Sequence, residues 1–182
     1  MCRARAVAGD AGLRDRTDAE LREILALPRD SQKLRDDIAS MRARLLRDKP
    51  AASIWDLKLV EGGLTDIDFI AQFLLLSELP NGNLNARDAK HILQASEEFA
   101  PGEDAKDELI RAFSDYTAIM QLVRLCSEKD FDPDTAPKGL IDRLCAIAGF
   151  PTLETLRAHL VETEGRVATI FHAVLGELKS EP

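Results

Sequence analysis

The chain has only three cysteines, Cys2, Cys126 and Cys145, an odd number spread widely over 182 residues. That argues against a disulfide framework and for reduced thiols, with Cys126 and Cys145 on apolar helical stretches where they fill the core. No apolar run reaches the roughly 18 residues that a membrane span needs, so no membrane partner is expected. The opening MCRARAVAGD lacks the apolar core of a signal peptide, which makes a cytoplasmic protein the expectation. GxSxG, P-loop and GxGxxG motifs are absent. His91, His159 and His172 have no HExxH or other zinc-ligand spacing, which leaves them as surface or helix-packing residues and predicts no metal site. Internal repeats, low-complexity segments and convincing strand-like alternation are missing too.

What is present is typical of a soluble globular chain. Hydrophobic residues make up 45% and charged residues 31%, and a chain of this length buries about 70% of its unfolded surface. The net charge of −8 is uneven. Residues 1–49 carry 12 Lys and Arg against 9 Asp and Glu, whereas residues 50–182 carry 12 against 23. An acidic body disfavours nucleic acid, because phosphate neutralisation needs a basic surface. The basic N-terminal part either docks against an acidic neighbouring domain or is a solvated arginine-rich helix.

Nearly every segment has helical spacing. Thr17 and Glu20 have the separation of a capping box, followed by Leu21, Ile24 and Leu25 until Pro28. A second helix starts near Asp30 or Ser31, with Leu34, Ile38, Met41 and Leu45 as its stripe, and ends before Pro50. Residues 48–63 are the longest non-periodic stretch; they hold the only tryptophan, Trp55, and room for a short extended piece at 54–59. Further helices are predicted at 66–79, from an Asn85 cap through Phe99, at 103–129, at 139–148 and at 153–178. The long run from Glu103 carries Leu109, Phe113, Met120 and Val123. The last helix turns Leu156, Leu160, Val167, Phe171 and Val174 inward. The fold class is therefore all-α: an antiparallel bundle of six or seven helices, two of them long. Residues 1–16 read as an arm or linker and residues 17–182 as a single helical domain.

The stretch LVEGGLTDIDFIAQFLLL, residues 59–76, carries the one motif with chemical promise. An Asp-x-Asp on a strand presents both carboxylates on one face, as metal-assisted phosphoryl transfer requires. On a helix the same pair is about 200° apart and diverges. Thr65 and Asp68 have the spacing of a capping box, and apolar residues then continue for three to four turns, so a helix is expected. In this reading Gly62-Gly63 supplies unusual backbone angles or a close approach. Gln72 lies one turn after Asp68. Asp66 and Asp68 either cap a core helix or, with Lys58 and Gln72, form a polar cluster that braces a neighbouring catalytic domain.

Asp56-Leu57-Lys58, Gly62-Gly63-Leu64, Asp66-Ile67-Asp68-Phe69 and Gln72 together resemble the DLK…GGL-x-DIEF-x-x-Q signature of glutamine synthetase adenylyltransferases. Met41-Arg42 is similar to the Met-Arg of the helix before that signature. The segment from Arg3 to Asp10 looks like the exit from the family's nucleotidyltransferase domain. Asp68 stands where the family usually has Glu, and Val60-Glu61 replaces a more Gly/Pro-like approach.

The resemblance implies a helical domain, C-terminal in its enzyme, that supports transfer of AMP from ATP to a tyrosine of glutamine synthetase in nitrogen regulation. Mg²⁺ and ATP serve the whole enzyme, with neither expected on this chain. The implied partners are the nucleotidyltransferase domain of the same polypeptide, glutamine synthetase and the PII signal protein. The family's Gly-Ser…Asp-x-Asp catalytic motif is missing, so no catalytic residue is assigned here. The signature residues Arg42, Asp56, Lys58, Gly62, Gly63, Asp66, Asp68 and Gln72 are candidates for supporting or domain-interface roles. A non-catalytic docking module for glutamine synthetase or a PII-type regulator is the alternative.

Overall fold

The computed structural model describes residues 4, 6–77, 88–97, 99–127 and 131–178. These form seven helices and no strand: α1 (Ala11–Leu25), α2 (Ser31–Asp48), α3 (Leu64–Ser77), α4 (Ala89–Ala95), α5 (Glu103–Cys126), α6 (Lys138–Ala148) and α7 (Leu153–Leu175). The all-α bundle with two long helices is what the spacing predicts, α5 having 24 residues and α7 having 23. None of the described helices is long and apolar enough to cross a membrane.

The bundle is built round α3. Its run LTDIDFIAQFLLLS is apolar on most of its circumference, and it buries Leu64, Ile67, Ile70, Ala71, Phe73, Leu74 and Leu75. A helix with that pattern is stable only when enclosed. Accordingly α2, α4, α5 and α7 all pack against it. Helix α7 buries Leu156, Leu160, Val167, Phe171 and Val174, the five residues its periodicity points inward. Helix α6 closes on α5 and α7 and ends at Gly149, whose φ of +76° gives the left-handed C-cap.

Several boundaries differ from the sequence reading, each for a local reason. Helix α1 is capped by Asp10, which accepts from the Leu13 N–H at 3.2 Å, so it begins well before Thr17. The Thr17 hydroxyl instead donates to the Leu13 carbonyl at 2.8 Å from inside the helix. In α2 the buried residues are Ile38, Ala39 and Arg42, and Met41 is half exposed. The enclosed position falls to Arg42 rather than Met41 because Asp66 and the loop carbonyls accept from its Nε and Nη2, although Nη1 is buried without a partner. Residues 54–59 form turns rather than an extended piece. Helix α4 is capped by Asp88 and stops at Ser96, leaving Phe99 buried from a loop. The Asn85 cap and the end of the helix predicted to reach Leu79 lie outside the described residues. Cys145 is buried as expected, but Cys126 is exposed at the last residue of α5.

Candidate functional site

The chain enters α3 through a loop folded on itself. The Asp56 N–H donates to Ser53 O at 3.0 Å, those of Leu59 and Val60 donate to Asp56 O at 3.0 Å, and that of Gly63 donates to Val60 O at 2.9 Å. The loop is then tied to the helix start, because Leu64 N donates to Leu57 O at 2.8 Å and Thr65 N to Lys58 O at 3.2 Å. Thr65 is not the N-cap its spacing suggests. Its hydroxyl donates to the Lys58 carbonyl at 2.6 Å, fixing the backbone that carries the Lys58 side chain.

Gly62 and Gly63 are required for space as well as for conformation. Gly62 has φ +79°, and a Cβ there would sit 1.9 Å from the Glu164 carbonyl oxygen of α7. At Gly63 a Cβ would meet the carbonyl oxygens of Leu57 at 2.6 Å and Val60 at 2.9 Å. Both neighbours are backbone and cannot swing aside. The loop therefore lies directly on the main chain of α7.

Arg42 and Asp66 lock this contact from the α2 side. Arg42, 1% exposed, donates from Nε to Asp66 Oδ1, and from Nη2 to Asp66 Oδ2 at 3.2 Å, Val60 O at 2.9 Å and Leu59 O at 3.1 Å. Asp66, 2% exposed, also accepts the Gly62 N–H at 2.6 Å. Burial pushes its carboxyl above the usual carboxylate range, against the pull of Arg42 and of the Gly62 N–H. One guanidinium thus joins α2, the loop and α3, and breaking such a pair leaves an uncompensated buried charge.

The same geometry bears on metal binding. Asp66 has both oxygens committed to Arg42 and Gly62, while Asp68, two residues on in a helix, is half-buried on a different side. These two acids do not fit a shared divalent cation. Among the described residues no group of three or more His, Cys, Asp or Glu is placed to hold one.

The signature thus divides. Arg42, Gly62, Gly63 and Asp66 turn inward and hold three helices together. Asp56, Lys58 and Asp68 instead line hollows between the loop, α3 and α5, with Lys58 exposed. Gln72 is half-buried, one helical turn beyond Asp68. The histidines have no common site: His91 pairs with Asp88, His159 stacks on Phe150, and His172 lies between Glu61 and Glu177.

Two residues at the lock escaped the sequence reading. Glu164, 7% exposed, has Oε1 buried without a partner, and burial pushes its carboxyl up to about 7. Tyr116 is fully enclosed with its hydroxyl unpartnered, and burial together with nearby Glu164 raises its pKa. The signal was available. Glu164 falls on the α7 stripe between Leu160 and Val167, and Tyr116 falls on the α5 stripe between Leu109 and Ile119.

Gly62→Ala is expected to destabilise the chain by about 3 kcal/mol or more, as strain and overlap combine. Gly165→Ala, where a Cβ meets nothing within 4 Å, should stabilise it by about 0.5–1 kcal/mol. Urea unfolding of the two variants checks both signs. A raised carboxyl favours the folded state while it is protonated. The Glu164 contribution is therefore fully present below the ordinary 4.5 and lost as pH rises through about 7. Glu164→Gln should accordingly gain on the parent chain by on the order of 2–3 kcal/mol between pH 4.5 and 8, read from parallel unfolding curves.

No profile of a known protein family matches the chain. Individual proteins do. It is 39% identical over 178 residues to the bifunctional glutamine synthetase adenylyltransferase/adenylyl-removing enzyme of Mesorhizobium japonicum. The identity is 38% to the enzyme of the same name from Rhizobium meliloti and 36% to that from Agrobacterium fabrum. Each match covers 96% of this chain but only 18% of the relative. Over almost its whole length, then, the chain is a homologue of one domain-sized segment of the bifunctional glutamine synthetase adenylyltransferases/adenylyl-removing enzymes.

Proposed function

We infer that the chain serves as the accessory helical domain of a glutamine synthetase adenylyltransferase, beside a nucleotidyltransferase domain of the same polypeptide. There it supports transfer of AMP from ATP to a tyrosine of glutamine synthetase, in control of nitrogen assimilation. The observation that carries this reading is the division of the signature. Four of its eight residues are used up in fixing the loop and α3, and three others, Asp56, Lys58 and Asp68, line hollows that open to solvent. A face built by so much internal bracing suits a surface that must meet another domain in one position.

The carboxylates that hold Mg²⁺ for the transfer are assigned to the neighbouring domain, because Asp66 is spent on Arg42 and the Gly62 N–H. On this reading Lys58, Asp68 and Gln72 position the neighbour and its reactants, and none of them reacts. Such residues act by holding geometry, and a misplacement of about 1 Å is worth on the order of 100-fold in rate.

In the full-length enzyme Lys58→Ala and Asp68→Ala are expected to lower AMP transfer to glutamine synthetase by about tenfold or more, with thermal unfolding of this chain unchanged. Unchanged turnover in both would remove the accessory role. Asp66→Ala is not a clean test, since it leaves Arg42 buried and unpaired. The chain alone should incorporate no labelled AMP into glutamine synthetase, and incorporation would place reacting carboxylates here after all.

A further inference from the structure

Glu164 is the one acid among the buried residues of α7, enclosed between Leu160 and Val167. Its Oε1 makes no hydrogen bond, and neither does the buried Tyr116 hydroxyl of α5, which packs on α7. Buried polar groups are nearly always paired, so two orphans on packed helices call for an explanation. Their place in the fold supplies one. The main-chain carbonyl of Glu164 is the atom that bears on Gly62, so the turn of α7 carrying this carboxyl is the turn on which the entry loop rests.

The surroundings offer an ionised Glu164 no counter-charge. On α7 itself Arg166 is spent on Glu108 at 2.8 Å, Glu162 at 2.6 Å and Thr163 at 3.0 Å, and His159 reaches Thr163 at 3.4 Å. Helix α5 adds Glu108 and Asp115, of the same sign, and Arg111, which pairs with Glu108 at 3.1 Å. Helix α2 brings Arg42, held by Asp66 of α3, and Arg35, which donates to Val174 O. The loop brings Glu61, 3.4 Å from His172. Helix α6 brings the exposed Lys138–Asp142 pair and the exposed Arg143. Burial is accordingly what acts on the Glu164 carboxyl, with no cation opposing it.

We propose that Glu164 is a proton-operated catch on the entry loop. While its carboxyl is neutral the loop stays closed on α7, and ionisation favours an opened form in which Gly62 has left the α7 main chain and the carboxylate is hydrated. The proposal goes beyond the accessory-domain reading and does not depend on it. The sign follows from linkage: a carboxyl raised in the closed form binds its proton more tightly there, so closure is favoured at low pH and weakened as pH rises. Between the ordinary 4.5 and the closed-form value of about 7, the opening constant rises about tenfold per pH unit, and above about 7 it levels off. The loop carries Asp56 and Lys58, so the catch sets how firmly the solvent-facing part of the signature is held near neutral pH.

The test is amide hydrogen exchange by NMR across this pH range, corrected for the intrinsic rate. Gly62, whose N–H donates to Asp66 Oδ2 at 2.6 Å, reports on the loop, and Leu74, buried in α3, reports on global unfolding. Gly62 is expected to exchange faster than Leu74, with an opening constant that climbs about tenfold per pH unit and flattens above about 7. Glu164→Gln should remove that climb. Asp66, whose carboxyl is also raised, is present in both forms, so the difference between the two profiles belongs to Glu164. Identical profiles in parent and variant, or Gly62 exchanging no faster than Leu74 at every pH, would overturn the catch. A second readout needs no variant: the ¹³C resonance of the Glu164 carboxyl in the parent chain should titrate near 7, and a midpoint near 4.5 would overturn the proposal as well.

Discussion

The packing of one main-chain segment directly on another governs this structure. Gly62 lies against the Glu164 carbonyl with no room for a single further carbon. That approach sets the height of the entry loop over α7, and the loop in turn sets the first turn of α3, around which the bundle is assembled. Arg42 and Asp66 hold the approach closed from the other side, through donors to the loop carbonyls and an acceptor for the Gly62 N–H. Hydrophobic burial by Ile67, Leu74, Leu160 and Phe171 provides the bulk of the driving force, but it is non-directional. The glycine contact and the buried ion pair give it a register.

From that register follows the separation of buried and solvent-facing residues within one short stretch of sequence. Asp66 and Asp68 are two residues apart and do different things. Asp66 neutralises an arginine in the interior, and Asp68 lines a solvent-facing hollow with Lys58. A strand would have put both on one side, and the pair would then have been a plausible cation site. The helix makes them unequal. Thr65 belongs to the structural group as well, since its hydroxyl holds the Lys58 carbonyl and so ties the interior to the open face.

Much of this was legible in the sequence. The all-α class, the two long helices, the inward stripe of α7 and the helical state of residues 66–68 follow from spacing alone, because long runs of periodic apolar residues leave little choice. The errors share a physical origin. The capping patterns at Thr17 and Thr65 lose to other partners: Asp10 supplies an equally local cap two turns earlier, and Lys58 O, seven residues back, accepts the Thr65 hydroxyl. Apolarity alone points Met41 inward, whereas Arg42, paired with Asp66, is the residue enclosed. Glu164 is polar yet buried, which again makes apolarity an incomplete guide, and its place on the α7 stripe is plain. The hollow beside Trp55 was not readable at all. It joins the loop at 52–58 to the far half of α5, and nothing in the local sequence says that Trp55 and Arg124 share a wall.

The claim that the Lys58–Asp68 face is the one turned to a neighbouring domain is tested most directly by hydroxyl-radical footprinting. Oxidation of Trp55 and Met120 would be compared in the chain alone and in the full-length polypeptide, with the half-exposed Met41 of α2 as internal reference. The expected result is oxidation of Trp55 and Met120 reduced several-fold in the full-length protein while Met41 is unchanged. Equal oxidation of Trp55 and Met120 in both forms, with protection appearing at Met41 instead, would contradict it.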